Sequence, residues 1–258
     1  MDEAALLAAL PLLAFQAVVI FARMGAAVML LPGIGEAELP APVRLGIGVG
    51  FVPVLLPVLG DSLPTVPDAL PDIARLLLVE IGIGIWIGSL ARVAMLGLSI
   101  AAQFIAGAMG LTSALVQDPA LGQGGTALSR LIGLAAVVMV MTTGLHHLAI
   151  AAMAESYAVL PAGLGFPAEE VAQSIVAAGA DNLGLALRLS APFLVGAVIA
   201  NVGLGLLARL APQIQVYFVA VPGQVLAGIA LLALLMPAFM GVAMPAIQAS
   251  FSALPGAH

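Results

Sequence analysis

Four charged side chains stand inside or near the ends of long apolar stretches: Arg23, Glu80, Arg92 and Arg188. A charge at bilayer depth is costly, and where it occurs it faces protein or water. Two chemistries are open to such a set. One is an ion or proton path. The other is a set of structural charges that pair with partners or reach the interface along their own stems. Glu80 and Arg92 are twelve residues apart. That spacing puts them about 120° apart around a helix, so they do not pair with each other. Their partners must come from other helices or other chains, and a single acid near the centre of a run is thin for a proton relay.

His146 and His147 are adjacent, so on a helix they point about 100° apart and cannot grip one metal ion together. There is no cysteine, so a disulfide framework and a thiolate metal site are both excluded. No Ser-His-Asp, HExxH, Walker or dinucleotide pattern occurs. The Gly-rich run QDPALGQGG lacks the GKS or GKT ending of a phosphate cradle. These residues predict no enzyme, no metal and no cofactor.

The elements that must position these side chains follow from composition. The chain has 258 residues, of which 63% are hydrophobic and 8% charged, with no lysine and a net charge of -6. Its mean hydropathy is +1.22. A soluble domain carries about a quarter of its residues as charges, so this chain is built for a membrane or for burial against other subunits. It has no basic tract, which excludes nucleic acid as a partner. Met1-Asp2-Glu3 is not the start of a signal peptide, so the first apolar run is expected to be a retained span.

Apolar runs cover about residues 6–31, 43–59, 73–109, 128–159, 183–210 and 214–244. The third is too long for one crossing, and the sixth is interrupted by Pro222 and Pro237. Breaks fall at Pro32-Gly33-Ile34-Gly35 with Pro40 and Pro42, at the proline- and aspartate-rich stretch 61–71, at 117–125, and at 161–167. The expected fold is all-α: a polytopic helical membrane protein of about six apolar segments with broken or re-entrant helices. Arg44, Arg130 and Arg209 lie in or beside the odd-numbered connections, which places those inside and both termini outside. Arg75, near the second connection, runs against that pattern.

Small residues recur at helix-packing spacing: Gly46 with Gly50, and Gly84 with Gly88. After Arg92 the chain passes Gln103, Gly107, Met109 and Gly110, then Thr112, Ser113, Gln117, Asp118 and Pro119. A segment of this kind is either a re-entrant or broken helix that forms a constriction, buried in protein or lining a cavity, or an ordinary cytoplasmic loop.

The stretch GAMGLTSALVQDPALGQGGTALSR, followed by GLHHLAIAAMAESYAVLPAG, resembles the central pattern of the FliR family of flagellar type III export-gate proteins, whose relatives serve virulence secretion systems. The similarity extends in order along the chain. It includes Arg23 and Gly25, Pro32-Gly33-Ile34-Gly35, Leu39-Pro40, Val43-Arg44-Leu45, Glu80 with Gly84 and Gly88, Ser156-Tyr157, Leu160-Pro161, and Arg209 with Ala211-Pro212-Gln213.

This resemblance implies a non-enzymatic structural subunit. Such a subunit assembles with FliP-like and FliQ-like partners and with FlhB-like and FlhA-like export components in the flagellar basal body of the bacterial inner membrane. The gate passes unfolded protein substrates, with energy from the proton motive force and an ATPase elsewhere in the machine. The assembled core sits largely above the membrane plane, so six spans can describe insertion rather than the final state. The resemblance further implies a FliP-like part over about residues 1–182 and a FliQ-like terminal hairpin over 183–258. It also implies a plug loop over 107–123, with Gly107, Met109, Gly110, Leu111, Leu115, Val116, Asp118 and Pro119 closing the pore. Thr112, Gln117 and the glycine-rich GQGG end depart from the family pattern and blur the loop's limits. Arg23, Glu80, Gly84, Gly88, Arg92, Arg209 and Pro212 are the expected assembly and packing residues. The alternative function is a secondary transporter for an ion or small molecule.

Overall fold

A computed structural model of the chain describes residues 3–36, 38–110, 127–211 and 216–257. Among these residues the regular structure is helical throughout: α1 (Glu3–Val28), α2 (Ala41–Leu59), α3 (Leu70–Ala108), α4 (Ala127–Thr142), α5 (Leu145–Val159), α6 (Ala168–Leu210) and α7 (Val216–Ser252). A short 3-10 turn, Gly60–Ser62, follows α2. Five helices are long and apolar enough to cross a membrane, and α4 and α5 form a bent pair at 71° that makes a sixth candidate span. This is the expected polytopic helical class.

The helices differ from the apolar runs in three informative ways. The third run continues without a break to Ala108, and the 39 residues of α3 contain no proline. Such a helix is about 58 Å long, roughly twice the hydrocarbon thickness of a bilayer. The third run is thus one helix as far as residue 108, and the expected break at the polar residues 112–119 lies outside the described residues. The fifth run begins earlier than its apolar residues suggest, since α6 starts at Ala168 with Glu169 and Glu170 in its first turn. Pro167 stands just before that start, and acids there complement the helix dipole, so polar residues extend the helix. The sixth run is not interrupted either, because α7 passes through Pro222, Pro237 and Pro245. In apolar surroundings neighbouring groups re-satisfy the backbone that a proline frees.

The α4–α5 elbow has a local cause. Gly144 adopts φ 77°, a left-handed conformation that only glycine takes cheaply. Just before it, the Thr143 hydroxyl donates to Met139 O at 2.7 Å, and Thr142 donates to the same carbonyl at 3.2 Å. The helical bond from Thr143 N to Met139 O is still made at 2.9 Å, and Gly144 N then turns to Met141 O at 3.4 Å, so the chain leaves the helix at the glycine.

The chain divides into two compact units that interleave in sequence. One comprises Met1–Ala94, Val138–Ala178 and Ala249–His258, and the other Met95–Val137 and Gly179–Gln248. In the first unit Val19, Ile20, Met24, Ile83, Ile87, Ala152, Met153 and Phe251 are buried, and α1 packs along α2. In the second, Leu98, Ala102, Ile105, Met109, Ile132, Phe193 and Phe239 are buried.

Candidate functional site

The first unit is organised around one buried arginine. Arg23, on α1, is 1% exposed and Glu80, on α3, is 0% exposed. Arg23 Nε donates to Glu80 Oε2 at 2.7 Å, Nη1 to Ser156 Oγ at 3.2 Å and Nη2 to Leu160 O at 2.9 Å. Its guanidinium carbon lies 3.9 Å from the centre of the Tyr157 ring, a cation–π contact in a desolvated place. One side chain therefore ties α1, α3 and the end of α5 together. Ser156 is held in turn by donating to Met153 O at 2.6 Å. Glu80 Oε1 and the Tyr157 hydroxyl are buried without a hydrogen-bond partner. The set is charge-balanced and sealed from solvent, which suits a structural tie better than a path for ions.

Glycines bring the helices close enough for that pairing. A methyl group on Gly84 would run into Arg23 O, and one on Gly88 would lie 2.7 Å from Ala27 O. These two glycines, four apart, form the groove in α3 that receives α1. On α2, a methyl on Gly48 would lie 3.2 Å from Gly25 Cα. Gly46 and Gly50 have the same spacing but face open space. At the chain's end, Gly256 at φ 93° lies against the Ala152 carbonyl and the Ser156 amide, packing the terminal turn on α5.

Arg92 is placed differently. It meets Gly35 O at 3.4 Å and Glu36 Oε2 at 3.5 Å, with the side chains 40% and 26% exposed. This pair closes the loop after α1 onto α3 at the rim of the unit. Trp86 Nε1 donates to Ser174 Oγ at 2.8 Å and joins α3 to α6 within the same unit. Arg188 and Arg209 are exposed, Arg209 in the last turn of α6.

In the second unit, the end of α3 meets α7. Gln224 Nε2 donates to Ala108 O at 3.2 Å, satisfying one of the carbonyls a helix end leaves open. Gly110 then takes φ 72°. Met109 is buried with its side chain against Gly228, where no larger residue fits. A groove of about 420 Å³ lies between α6 and α7, lined by Met109, Gly196, Ala200, Gly203 and Gly228 among others. Asn182 Oδ1 also accepts from Gly97 N at 3.1 Å, tying α6 to α3.

Of the expected plug residues, Gly107 is exposed, Met109 is buried and Gly110 starts the turn. Leu111, Leu115, Val116, Asp118 and Pro119 lie outside the described residues, as does Pro212. Of the expected packing residues, Arg23, Glu80, Gly84 and Gly88 come together, whereas Arg92 and Arg209 stand apart. Sequence reasoning did not connect Ser156, Tyr157 and Leu160 to Arg23, nor Gln224 to the end of α3. Each is a polar or hydrogen-bonding group within an apolar stretch, and that was the available signal. The His146 and His147 rings lie 3.9 Å apart between centres, tilted by 41°, in the first turn of α5. Among the described residues no three His, Cys, Asp or Glu side chains converge as a metal site.

The geometry can be set beside known proteins. A model of the family described as bacterial export proteins, family 1, matches residues 14–250. The chain is 34% identical over 230 residues to the flagellar biosynthetic protein FliR of Caulobacter vibrioides, covering 89% of this chain and 90% of that protein. It is 29% identical over 218 residues to the protein of the same name from Escherichia coli, covering 83% and 82%. For the Bacillus subtilis protein of that name the figures are 26% over 208 residues, with 79% of each chain covered.

Proposed function

This chain belongs to the bacterial export proteins of family 1, the family of the FliR proteins, and from that membership we propose that it is a non-enzymatic structural subunit of a flagellar type III protein-export gate. It is a flagellar export component, membrane-embedded through its long apolar helices. In this reading it forms the pore with FliP-like and FliQ-like subunits in the basal body of the inner membrane, meets FlhB-like and FlhA-like components, and passes unfolded proteins. In the same reading the segment 107–123 serves as the plug.

One observation carries the reading. The most apolar windows of α6 and α7 are only 6% buried within the chain. Val195, Val198, Ile199 and Val202 on α6, and Leu226 and Leu234 on α7, are exposed. Apolar surface of this extent needs lipid or partner subunits to cover it. A secondary transporter would need polar groups converging at mid-membrane. The groove between α6 and α7 is instead lined by glycine, alanine, leucine, phenylalanine and methionine, with Gln224 as the polar member.

The test is co-expression with FliP-like and FliQ-like partners, purification through a tag on this chain, and native mass spectrometry. A large defined assembly with this chain as a minor component is expected. A detergent-stable lone chain or homodimer would overturn the proposal and favour the transporter.

A further inference from the structure

Two charges on α6 stand unanswered on the same face. Asp181 and Arg188 are seven residues apart, two turns of helix and about 10 Å along its axis. Both are exposed, and neither has an ion-pair partner among the described residues. They do not answer each other, because side chains on a helix meet across three or four positions, not seven. Pro192 lies four residues beyond Arg188 and has no N–H, so the Arg188 carbonyl is also left without its helical donor. These groups belong to a seam. Asp181, Gly184, Arg188, Ala191, Val195 and Val198 follow at alternating steps of three and four, and the pattern continues through Val202 to Gly205. A heptad seam sustained over more than three repeats is the period at which one helix packs along another. The opposite side of α6, with Asn182, Ala186, Leu189 and Phe193, is buried. The seam itself is open: Val195, Val198 and Val202 are exposed, and an added methyl on Gly184 or Gly205 would meet nothing within 4 Å.

We propose that this seam docks a long helix of a different subunit, one that sets a basic residue against Asp181 and an acid seven positions away against Arg188. The inference rests on the reading of this chain as one subunit of a gate; it adds which face is docked and which charges the partner presents. Small and β-branched seam residues let a helix come close, and charged groups at seam positions fix its register. Charge complementarity selects the occupant. Lipid chains would cover the valines but leave a carboxylate and a guanidinium without partners, which is costly. A second copy fits poorly in either direction. Laid parallel and in register, it sets Arg188 against Arg188. Laid antiparallel, it pairs Asp181 with Arg188 twice, as a two-fold interface would, but Ala168, the first residue of α6, then falls opposite Asn201. Val202 and Gly205 would stay uncovered.

The test uses the full chain co-expressed with its partner subunits, purified through a tag and measured by native mass spectrometry. Arg188→Asp and Asp181→Arg should each lower the recovered assembly at least about tenfold, the scale of one desolvated charge set against its like. Exchanging the two charges together keeps the net charge but reverses their order, and should lower the yield as well. Both residues are exposed, so the variant chains should keep wild-type protease resistance, which separates docking from folding. The chain has no cysteine, so Gly184→Cys can carry a single photo-cross-linker. It is expected to reach one helix of another subunit bearing an acid and a base seven residues apart, and replacing that acid by arginine should restore assembly to Arg188→Asp. A wild-type assembly whose yield survives the reversals within about twofold, the range of ordinary surface changes, would overturn this inference and leave the subunit reading standing. So would a cross-link to a second copy or to no protein. Absence of any wild-type assembly would overturn both.

Discussion

Replacing Glu80 by glutamine tests the buried tie directly. The substitution preserves shape and removes one charge. Arg23 would keep Ser156 Oγ at 3.2 Å, Leu160 O at 2.9 Å and the Tyr157 ring at 3.9 Å. It would lose the carboxylate at 2.7 Å that neutralises it, in a place where the arginine is 1% exposed. Removing one partner of a buried ion pair costs about 3–5 kcal/mol, because the other charge is left uncompensated. Set against a typical total stability of about 5–15 kcal/mol, that is a large share. It lowers the folded-to-unfolded ratio by roughly two to four orders of magnitude, at about 1.4 kcal/mol per decade. The assay is unfolding by a denaturing detergent in mixed micelles, followed by protease resistance of the first unit. The double variant Arg23→Met with Glu80→Leu removes both charges and keeps volume, and buried pairs so replaced are often neutral or more stable. It should therefore recover most of the loss. If Glu80→Gln unfolds within about 0.5 kcal/mol of wild type, a shift typical of ordinary surface substitutions, the pair is not the tie described. A double variant weaker than either single one would equally refute the reasoning.

Other outcomes follow from the same geometry. Gly84→Ala should sharply reduce the folded protein recovered from membranes, since the methyl meets the Arg23 carbonyl, whereas Gly46→Ala, facing open space, should leave yield unchanged; equal yields would remove the close-approach argument. Glu36→Ala should cost no more than about 1 kcal/mol in the same unfolding assay, because its pair with Arg92 is long and partly exposed; a loss as large as that of Glu80→Gln would contradict the contrast. Gln224→Leu should destabilise the end of α3 by about 1–2 kcal/mol, read as faster amide exchange around residues 105–109, because Ala108 O loses its donor. Deleting residues 107–123 should make the assembled gate leak ions while assembly persists, and a gate that stays tight in conductance measurements would remove the plug assignment.

Much of this protein is legible without its fold. The near-absence of charge, the missing lysine and the long apolar runs dictate the solvent, and in that solvent a backbone must satisfy its own hydrogen bonds, so helices follow. The order of short patterns along the chain carries the family. Even the separation of Glu80 from Arg92 follows from helix geometry. These are properties of composition and of local windows, which act before distant parts of the chain meet.

What the folded chain alone decided is which distant groups pair. Arg23 and Glu80 are 57 positions apart, and Arg23 and Leu160 are 137; no window contains both members. The two glycine pairs make the point most sharply. Gly46 with Gly50 and Gly84 with Gly88 read identically, yet one faces open space and the other receives the backbone of α1. Spacing states that a helix has a narrow face, and only tertiary packing decides whether another helix comes to fill it. The same holds for the prolines of α7, which would stop a helix in water but run through one here, because the surroundings rather than the residue determine what a freed carbonyl meets.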